Sequence, residues 1–133
     1  MLDRPTPRDI LRAVAEFLRT RAVPALPDRQ GFEARVAANA LDLVIRQLDQ
    51  KEAGEAAELD RLTILLGETG SLDSLNRLLA DRLRSGALAL DIAGLADHLR
   101  ATCLEKLRVD QPRYASYVRA VADNDADNEQ KKV

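Results

Sequence analysis

The sequence is poor in the residues that build disulfides and metal sites. It contains one cysteine, Cys103, and one histidine, His98, among 133 residues. A single cysteine cannot form an internal disulfide, which favours a reducing compartment, and we expect a cytoplasmic protein. A zinc site of the usual type needs more nitrogen and sulfur ligands than these two, and the paired Glu-x-x-His motifs of di-iron bundles are absent. We therefore expect no metal and no cofactor.

Aromatic rings and an excess of one charge are also lacking. The aromatic residues are Phe17, Phe32, Tyr114 and Tyr117. The formal net charge of −2 arises from the acidic residues after Ala122, so that the preceding part of the chain is neutral. Nucleic-acid binding generally needs a basic surface for phosphates, and aromatic rings where bases are stacked. We therefore expect no nucleic-acid partner.

Long apolar runs are missing as well. No stretch approaches the roughly 20 apolar residues that cross a bilayer. No N-terminal segment joins a basic start to a continuous apolar run, as a secretory signal would. The sequence thus predicts a protein without a membrane partner.

Helical periodicity is what the sequence does contain. Thr6-Pro7-Arg8-Asp9 is typical of a helix start, with a capping threonine, a proline at the first position and an acid three residues after the cap. Apolar residues follow at helical spacing. They are Ile10, Leu11, Val14, Phe17 and Leu18. Pro24 and Pro27 are expected to end this helix because proline donates no backbone hydrogen bond.

A second helix is predicted over about residues 29–51, and Gly54 is expected to break or bend it. Its predicted buried residues are Phe32, Val36, Ala40, Leu43, Val44 and Leu48. A third helix should follow and end at Gly67, a good position for a left-handed cap. Its predicted inward residues are Leu59, Leu62, Leu65 and Leu66.

Ser71 and Asp91 are predicted to cap the fourth and fifth helices, and Gly86 to end the fourth. The fifth helix is expected to bury Ile92, Leu95, Leu99, Cys103 and Leu107. Pro112 should interrupt the chain before a short last helix, and Tyr114 is expected to pack on the core.

These segments predict an all-α fold, an irregular bundle of five to six short amphipathic helices. At this length one domain is expected, over residues 1–121. The polar segment 122–133 is predicted to be disordered, because it has too few apolar groups to offset the entropy cost of ordering.

One polar set in the second helix is a candidate ligand site. At about 100° per residue, its members fall on one stripe beside the apolar face. They are Arg35, Asn39, Asp42 and Arg46. The functional interpretation is a groove edge whose arginines hold a carboxylate or phosphate. The structural interpretation, which we favour, is a set of inter-helix hydrogen bonds and ion pairs, with Asp42 serving Arg46.

His98 and Cys103 are interpreted structurally. No serine or cysteine motif indicates a nucleophile for His98, so a capped or solvent-edge histidine is expected rather than a general base. Cys103 is expected to be a buried structural thiol, because a reactive thiolate needs exposure and a cationic neighbour. We name no catalytic residue and favour a non-enzymatic chain. An enzyme with unusual carboxylate chemistry, for which no specific pair of residues can be named, stays open as a third hypothesis.

Several segments resemble a family of bacterial all-helical domains of unknown function. The resemblance lies in residues 32–41, in Arg4-Pro5-Thr6 with the helix that follows, in residues 101–107 and in Pro112-Arg113-Tyr114, so that it covers about residues 3–117. Gln111 departs from the asparagine expected before this proline, in a loop. Members of the family resemble proteins encoded beside, or fused to, aminoglycoside-phosphotransferase-like kinases and acyl-CoA dehydrogenases.

The resemblance implies an accessory role and a protein partner that is kinase-like or acyl-CoA-dehydrogenase-like. The leading hypothesis is therefore a non-catalytic interaction module. The alternative is a domain that binds an acyl or phosphorylated metabolite beside the polar stripe of the second helix. A homodimer is also expected, since the chain is neutral and rich in leucine and two-fold dimers are the commonest closed oligomers.

Overall fold

The computed structural model describes residues 4–130, and the side chains of residues 4–126. The helices are α1 (Pro7–Phe17), a π-helical segment (Leu18–Ala22), α2 (Val23–Ala25), α3 (Asp28–Leu66), α4 (Leu72–Ser85), α5 (Leu95–Asp110) and α6 (Ala115–Gln130). No strand occurs within residues 4–130. The all-α class predicted from the sequence is confirmed. Contacts divide the chain into two compact units, one ending at Lys51 and the other starting at Glu52.

Helix α1 begins as the sequence predicts. The Thr6 hydroxyl accepts a hydrogen bond from the Asp9 backbone N–H at 3.2 Å, and the Asp9 carboxylate accepts one from the Thr6 backbone N–H at 3.0 Å. This reciprocal pair satisfies two amides at the helix start. Its hydrogen bonds lower the pKa of the Asp9 carboxyl, with small additional effects of nearby arginine charges.

The end of the α1 segment follows from its two prolines. Pro24 has no N–H, and the backbone before it widens into the π-helical segment, where the Val23 N–H reaches the Leu18 carbonyl. Leu26 then takes an extended conformation, with φ −99° and ψ 150°, because a residue that precedes proline is disfavoured in the helical region. The predicted stop is therefore confirmed.

Helix α3 contradicts two sequence predictions. It runs without interruption through Gly54, so the predicted second and third helices are one element. In its first part the buried residues are Gly31, Ala38 and Ile45. The residues predicted to be buried there are instead half-buried or exposed. Among them Phe32 is 63 % exposed and Val36 is 50 % exposed.

The core of the second unit is a cluster of leucines. It consists of Leu62, Leu66, Leu75, Leu79 and Leu95, with Leu59, Leu65, Leu72, Leu78, Leu83, Leu88 and Ile92 packed against it. The Ser71 hydroxyl caps α4 by accepting from the Ser74 backbone N–H at 3.2 Å, and Gly86 ends α4 with a left-handed φ of 75°. Both caps are confirmed.

Helix α5 differs from the prediction in its start and in its buried side. Gly94, with φ 88°, occupies the cap position, so the prediction for Asp91 is wrong. Leu95 and His98 are buried, whereas Leu99 and Cys103 are exposed. Tyr114 is also exposed, contrary to its predicted packing on the core.

Helix α6 extends to Gln130, into the segment predicted to be disordered. Residues 131–133 and the side chains of 127–130 lie outside the described part of the chain. The boundary at residue 121 and the disorder of the tail stay predictions.

Candidate functional site

The polar stripe predicted on α3 is only partly engaged with other residues. Asp42 pairs with Arg19, whereas the structural interpretation had assigned it to Arg46. Arg46 is half-buried. Arg35 and Asn39 are exposed, and within the described part of the chain they have no hydrogen-bond or ion-pair partner. Binding of a ligand by these residues stays a prediction.

Arginines of α1 and of the π-helical segment meet aspartates of α3 along what we call the polar edge: Arg8, Arg12, Arg19, Asp42 and Asp49. Arg8 Nε lies 2.6 Å from Asp49 Oδ1, and Arg12 Nη2 lies 3.5 Å from Asp49 Oδ2. Arg19, in the π-helical segment that follows α1, pairs with Asp42, which precedes Asp49 in α3. The two helices therefore run antiparallel in the first unit, with their ion pairs on one side.

An open apolar depression of about 340 Å³ lies on α1, which we call the α1 depression. It is lined by Pro5, Asp9, Ile10, Ala13, Val14 and Phe17. Phe17 is 59 % exposed, and Ile10 and Val14 are also exposed. Since Ile10, Val14 and Phe17 recur at helical spacing, they form one continuous apolar stripe in contact with solvent. A surface of this kind suits an apolar side chain of another molecule.

The second unit contains a polar cluster between α3 and α5. Arg61 of α3 donates from Nη1 and Nη2 to the two carboxylate oxygens of Glu105 in α5, at 2.8 and 2.6 Å. Arg61 Nη2 also donates to Thr102 Oγ1 at 3.3 Å. This fork geometry is the strongest form of an arginine–carboxylate pair. Thr102 and Glu105 are half-buried and lie on the same side of α5 as the buried Leu95 and His98.

His98 lies beside this cluster and is 3 % exposed. Burial lowers the pKa of His98, and the positive charge of Arg61 lowers it further, against weaker opposing effects of Glu58 and Glu105. The Arg61 pKa is raised, chiefly by the hydrogen bonds to Glu105. The expectation of a solvent-edge histidine is thus wrong. Because Nδ1 is buried, a dissolved substrate does not reach that ring nitrogen.

The expectation of a buried thiol is also wrong. Cys103 is exposed, because the buried side of α5 follows His98, Thr102 and Glu105, and Cys103 points away from it. Within the described residues, no three His, Cys, Asp or Glu side chains are placed to hold a metal ion. No described helix has the length and apolar character to cross a membrane.

Sequence reasoning missed the α1 depression and the Arg61–Glu105 pair. The apolar stripe of α1 was visible, but spacing alone does not say whether a stripe faces the core or solvent. Arg61 and Glu105 are 44 residues apart, and no local pattern connects them. The sequence does contain a signal for the polar edge. Asp42 and Asp49 are seven residues apart, so they share one side of a helix.

A comparison with protein families gives one match. The model of DUF6285, a domain of unknown function, matches residues 24–114. These residues contain the whole of α3, α4 and α5, whereas α1 and its depression precede them. No curated protein and no solved structure matches the chain.

Proposed function

Since the chain belongs to the DUF6285 family of domains of unknown function, we propose that it is a non-catalytic accessory module that binds another protein. The observation that carries this proposal is the α1 depression, in which Phe17 is 59 % exposed. Exposed aromatic side chains are expensive to leave in water and are enriched at the centres of protein interfaces. The burial of the chain's one histidine supports a non-catalytic role.

The partner we propose is an aminoglycoside-phosphotransferase-like kinase or an acyl-CoA dehydrogenase encoded beside the chain, as the family resemblance implies. The proposal places the module in the cytoplasm and includes its self-association as a homodimer. A partner helix with apolar residues three and four positions apart would match the spacing of Ile10, Val14 and Phe17. The small-ligand alternative on α3 stays a prediction and has no comparable supporting observation.

The experiment measures binding of the full chain to the purified kinase and to the purified dehydrogenase by biolayer interferometry. Phe17→Glu puts a charge into the α1 depression and is expected to weaken binding at least about tenfold. Phe32→Glu is the matched control, because Phe32 is 63 % exposed but lies outside the depression. It is expected to leave binding unchanged.

Two results would count against the proposal. One is that the wild-type chain associates with neither protein at concentrations of about 10 μM, the range of weak but specific complexes. The other is that Phe17→Glu and Phe32→Glu weaken binding equally, which would remove the depression from the interface.

A further inference from the structure

The charges of α1 that lie nearest to the α1 depression are acidic. Asp9 is among the residues that line the depression. At about 100° per residue, Glu16 lies within about 20° of Asp9 around the helix and about 10 Å further along it. Both residues are exposed. We call these two carboxylates, which follow one border of the apolar stripe, the acidic rim.

The arginines of α1 lie further round the helix and are engaged with α3. Arg12 and Arg8 are about 60° and 100° from Asp9, on the side away from the depression. Both contact Asp49 of α3. Among the described residues, Asp9 and Glu16 have no ion-pair partner of their own. The acidic rim is therefore available to a cation of another molecule.

The Asp9 carboxylate is charged and is only partly used by the helix start. Its Oδ2 accepts hydrogen bonds from the Thr6 hydroxyl and the Thr6 backbone N–H, at 2.7 and 3.0 Å. These hydrogen bonds lower the pKa of Asp9, so the group is ionised at neutral pH. Its Oδ1 accepts no hydrogen bond within the described part of the chain. Because the side chain is already held in place, pairing with a cation costs it little further entropy.

We propose that the α1 depression binds a basic amphipathic helix, whose apolar side covers Phe17 and whose Lys or Arg side chains pair with the acidic rim. This inference rests on the proposed function and names the chemistry of the partner segment. Ile10, Val14 and Phe17 extend over about 10 Å, two turns of a helix laid alongside. The two rim carboxylates are seven residues apart, so basic residues seven apart on the partner would face both. An acidic helix would meet like charge at the same border.

A second copy of α1 suits the depression less well than a basic helix does. In an antiparallel two-fold pair, the same border of each depression meets the other, so acidic rim would lie against acidic rim. In a parallel pair, each rim would face the apolar border of the other copy and gain no cation. The apolar stripe alone would accept either occupant, and the rim is the feature that favours a basic one.

The test uses two synthetic peptides of about 18 residues, long enough to form a helix when bound. Their apolar sides are identical, with leucines three and four positions apart, and their flanking positions carry lysine in one peptide and glutamate in the other. Fluorescence anisotropy of the labelled peptide measures binding to the full chain. The lysine peptide is expected to bind at least about fivefold more tightly than the glutamate peptide. Phe17→Ala should weaken its binding at least about fivefold, because the apolar contact is lost.

Variants of the rim test the charge contacts separately. Glu16→Lys reverses one charge of the acidic rim and is expected to remove the preference for the lysine peptide. Glu52→Lys is the matched control, because it changes the net charge by the same amount at another exposed carboxylate, in α3 and outside the depression. It should keep the wild-type preference. Circular dichroism verifies the helix content of each variant, and Glu16→Gln, which should reduce the preference, replaces Glu16→Lys if the latter unfolds.

The inference is overturned if neither peptide binds at about 1 mM, or if the wild type binds both with equal affinity. It is equally overturned if Glu16→Lys and Glu52→Lys show the same preference. A dimer that Phe17→Ala dissociates, measured by light scattering without peptide, would assign the depression to a second copy and would also overturn it.

These outcomes are distinguishable from a failure of the proposed function. A kinase or dehydrogenase that binds through Phe17, together with peptides that bind without a charge preference, would refute the basic helix and leave the proposed function intact. Specific binding of the lysine peptide, together with no binding of either protein, would support the basic helix and refute those two partners.

Discussion

His98 and Arg61 each carry a buried side-chain nitrogen, Nδ1 and Nε respectively, for which the described residues provide no hydrogen-bond partner. Such a nitrogen costs free energy in the folded state, more so if the group is charged. The charge of Arg61 is compensated by Glu105, but nothing comparable faces the His98 ring. The groups that act on it electrostatically are Glu58 and Arg61 from α3 and Glu105 and Lys106 from its own helix. Burial and the positive charges of Arg61 and Lys106 favour the neutral ring, against the opposing effects of Glu58 and Glu105.

This environment predicts that the protein loses stability in mild acid. The pKa of His98 is lowered from its ordinary value near 6.5, so below that pH the unfolded chain binds a proton that the folded chain still excludes. The contribution of neutral His98 to the free energy of unfolding is complete above about pH 6.5. It is lost as the pH falls toward the lowered pKa. In His98→Leu, the free energy of unfolding in urea should therefore depend less on pH between 7 and 5.5.

The control for this measurement is Cys103→Ser, an exposed change on the same helix that should keep the wild-type pH dependence. Because His98 is the only histidine in the sequence, no other imidazole contributes in this range. If the free energy of unfolding of His98→Leu changed with pH as steeply as that of the wild type, the acid sensitivity would have another source.

Single residues also explain where sequence reasoning failed. On α3, the spacing of the apolar residues predicts that Phe32 and Val36 lie inward, but both are exposed. The structure places Gly31 inward, where the backbone of α2 approaches closely. A Cβ at Gly31 would lie 3.3 Å from the Val23 carbonyl oxygen. Close approach of two backbones requires small residues at the contact. Which residues of α3 lie at that contact depends on the neighbouring helix, and the sequence of α3 alone does not specify it.

At the scale of whole elements, caps and stops were predictable and continuity was not. Thr6, Ser71, Gly86 and the prolines act through bonds within a few residues, so their local sequence specifies the outcome. Gly54 was predicted to break or bend α3, but one glycine costs a helix only about 1 kcal/mol. Leu62 and Leu66, buried in the second core, provide packing on the C-terminal side of Gly54. The free energy gained by burying these two leucines is larger than the cost of the glycine.

Replacement of Gly54 by alanine should therefore stabilise the protein. A Cβ at Gly54 meets no atom within 4 Å and the backbone is helical, so Gly54→Ala is expected to raise the free energy of unfolding by about 0.5–1 kcal/mol. Gly86→Ala is the matched control. Its Cβ also meets nothing within 4 Å, but its φ is +75°, so about 1 kcal/mol of destabilisation is expected. Chemical denaturation measures both, and a loss of stability in Gly54→Ala would mean that α3 needs flexibility there.

Across the whole molecule, the two units differ in the cores that they build. The second unit buries a cluster of leucines, Leu62, Leu66, Leu75, Leu79 and Leu95. The first buries only Ala15, Gly31, Ala38 and Ile45 among its described residues. Since stability follows the apolar area removed from water, the first unit should open more readily than the second. The all-α class was predictable from periodicity. The difference between the two cores was not, because it depends on which side of α3 faces α1.

Amide hydrogen exchange of the full chain, measured by mass spectrometry, tests this difference within a single helix. Peptides of α3 that end before Lys51 should exchange faster than peptides that begin after Gly54, although both belong to Asp28–Leu66. Equal protection along α3 at low concentration would show that the first unit is as stable as the second.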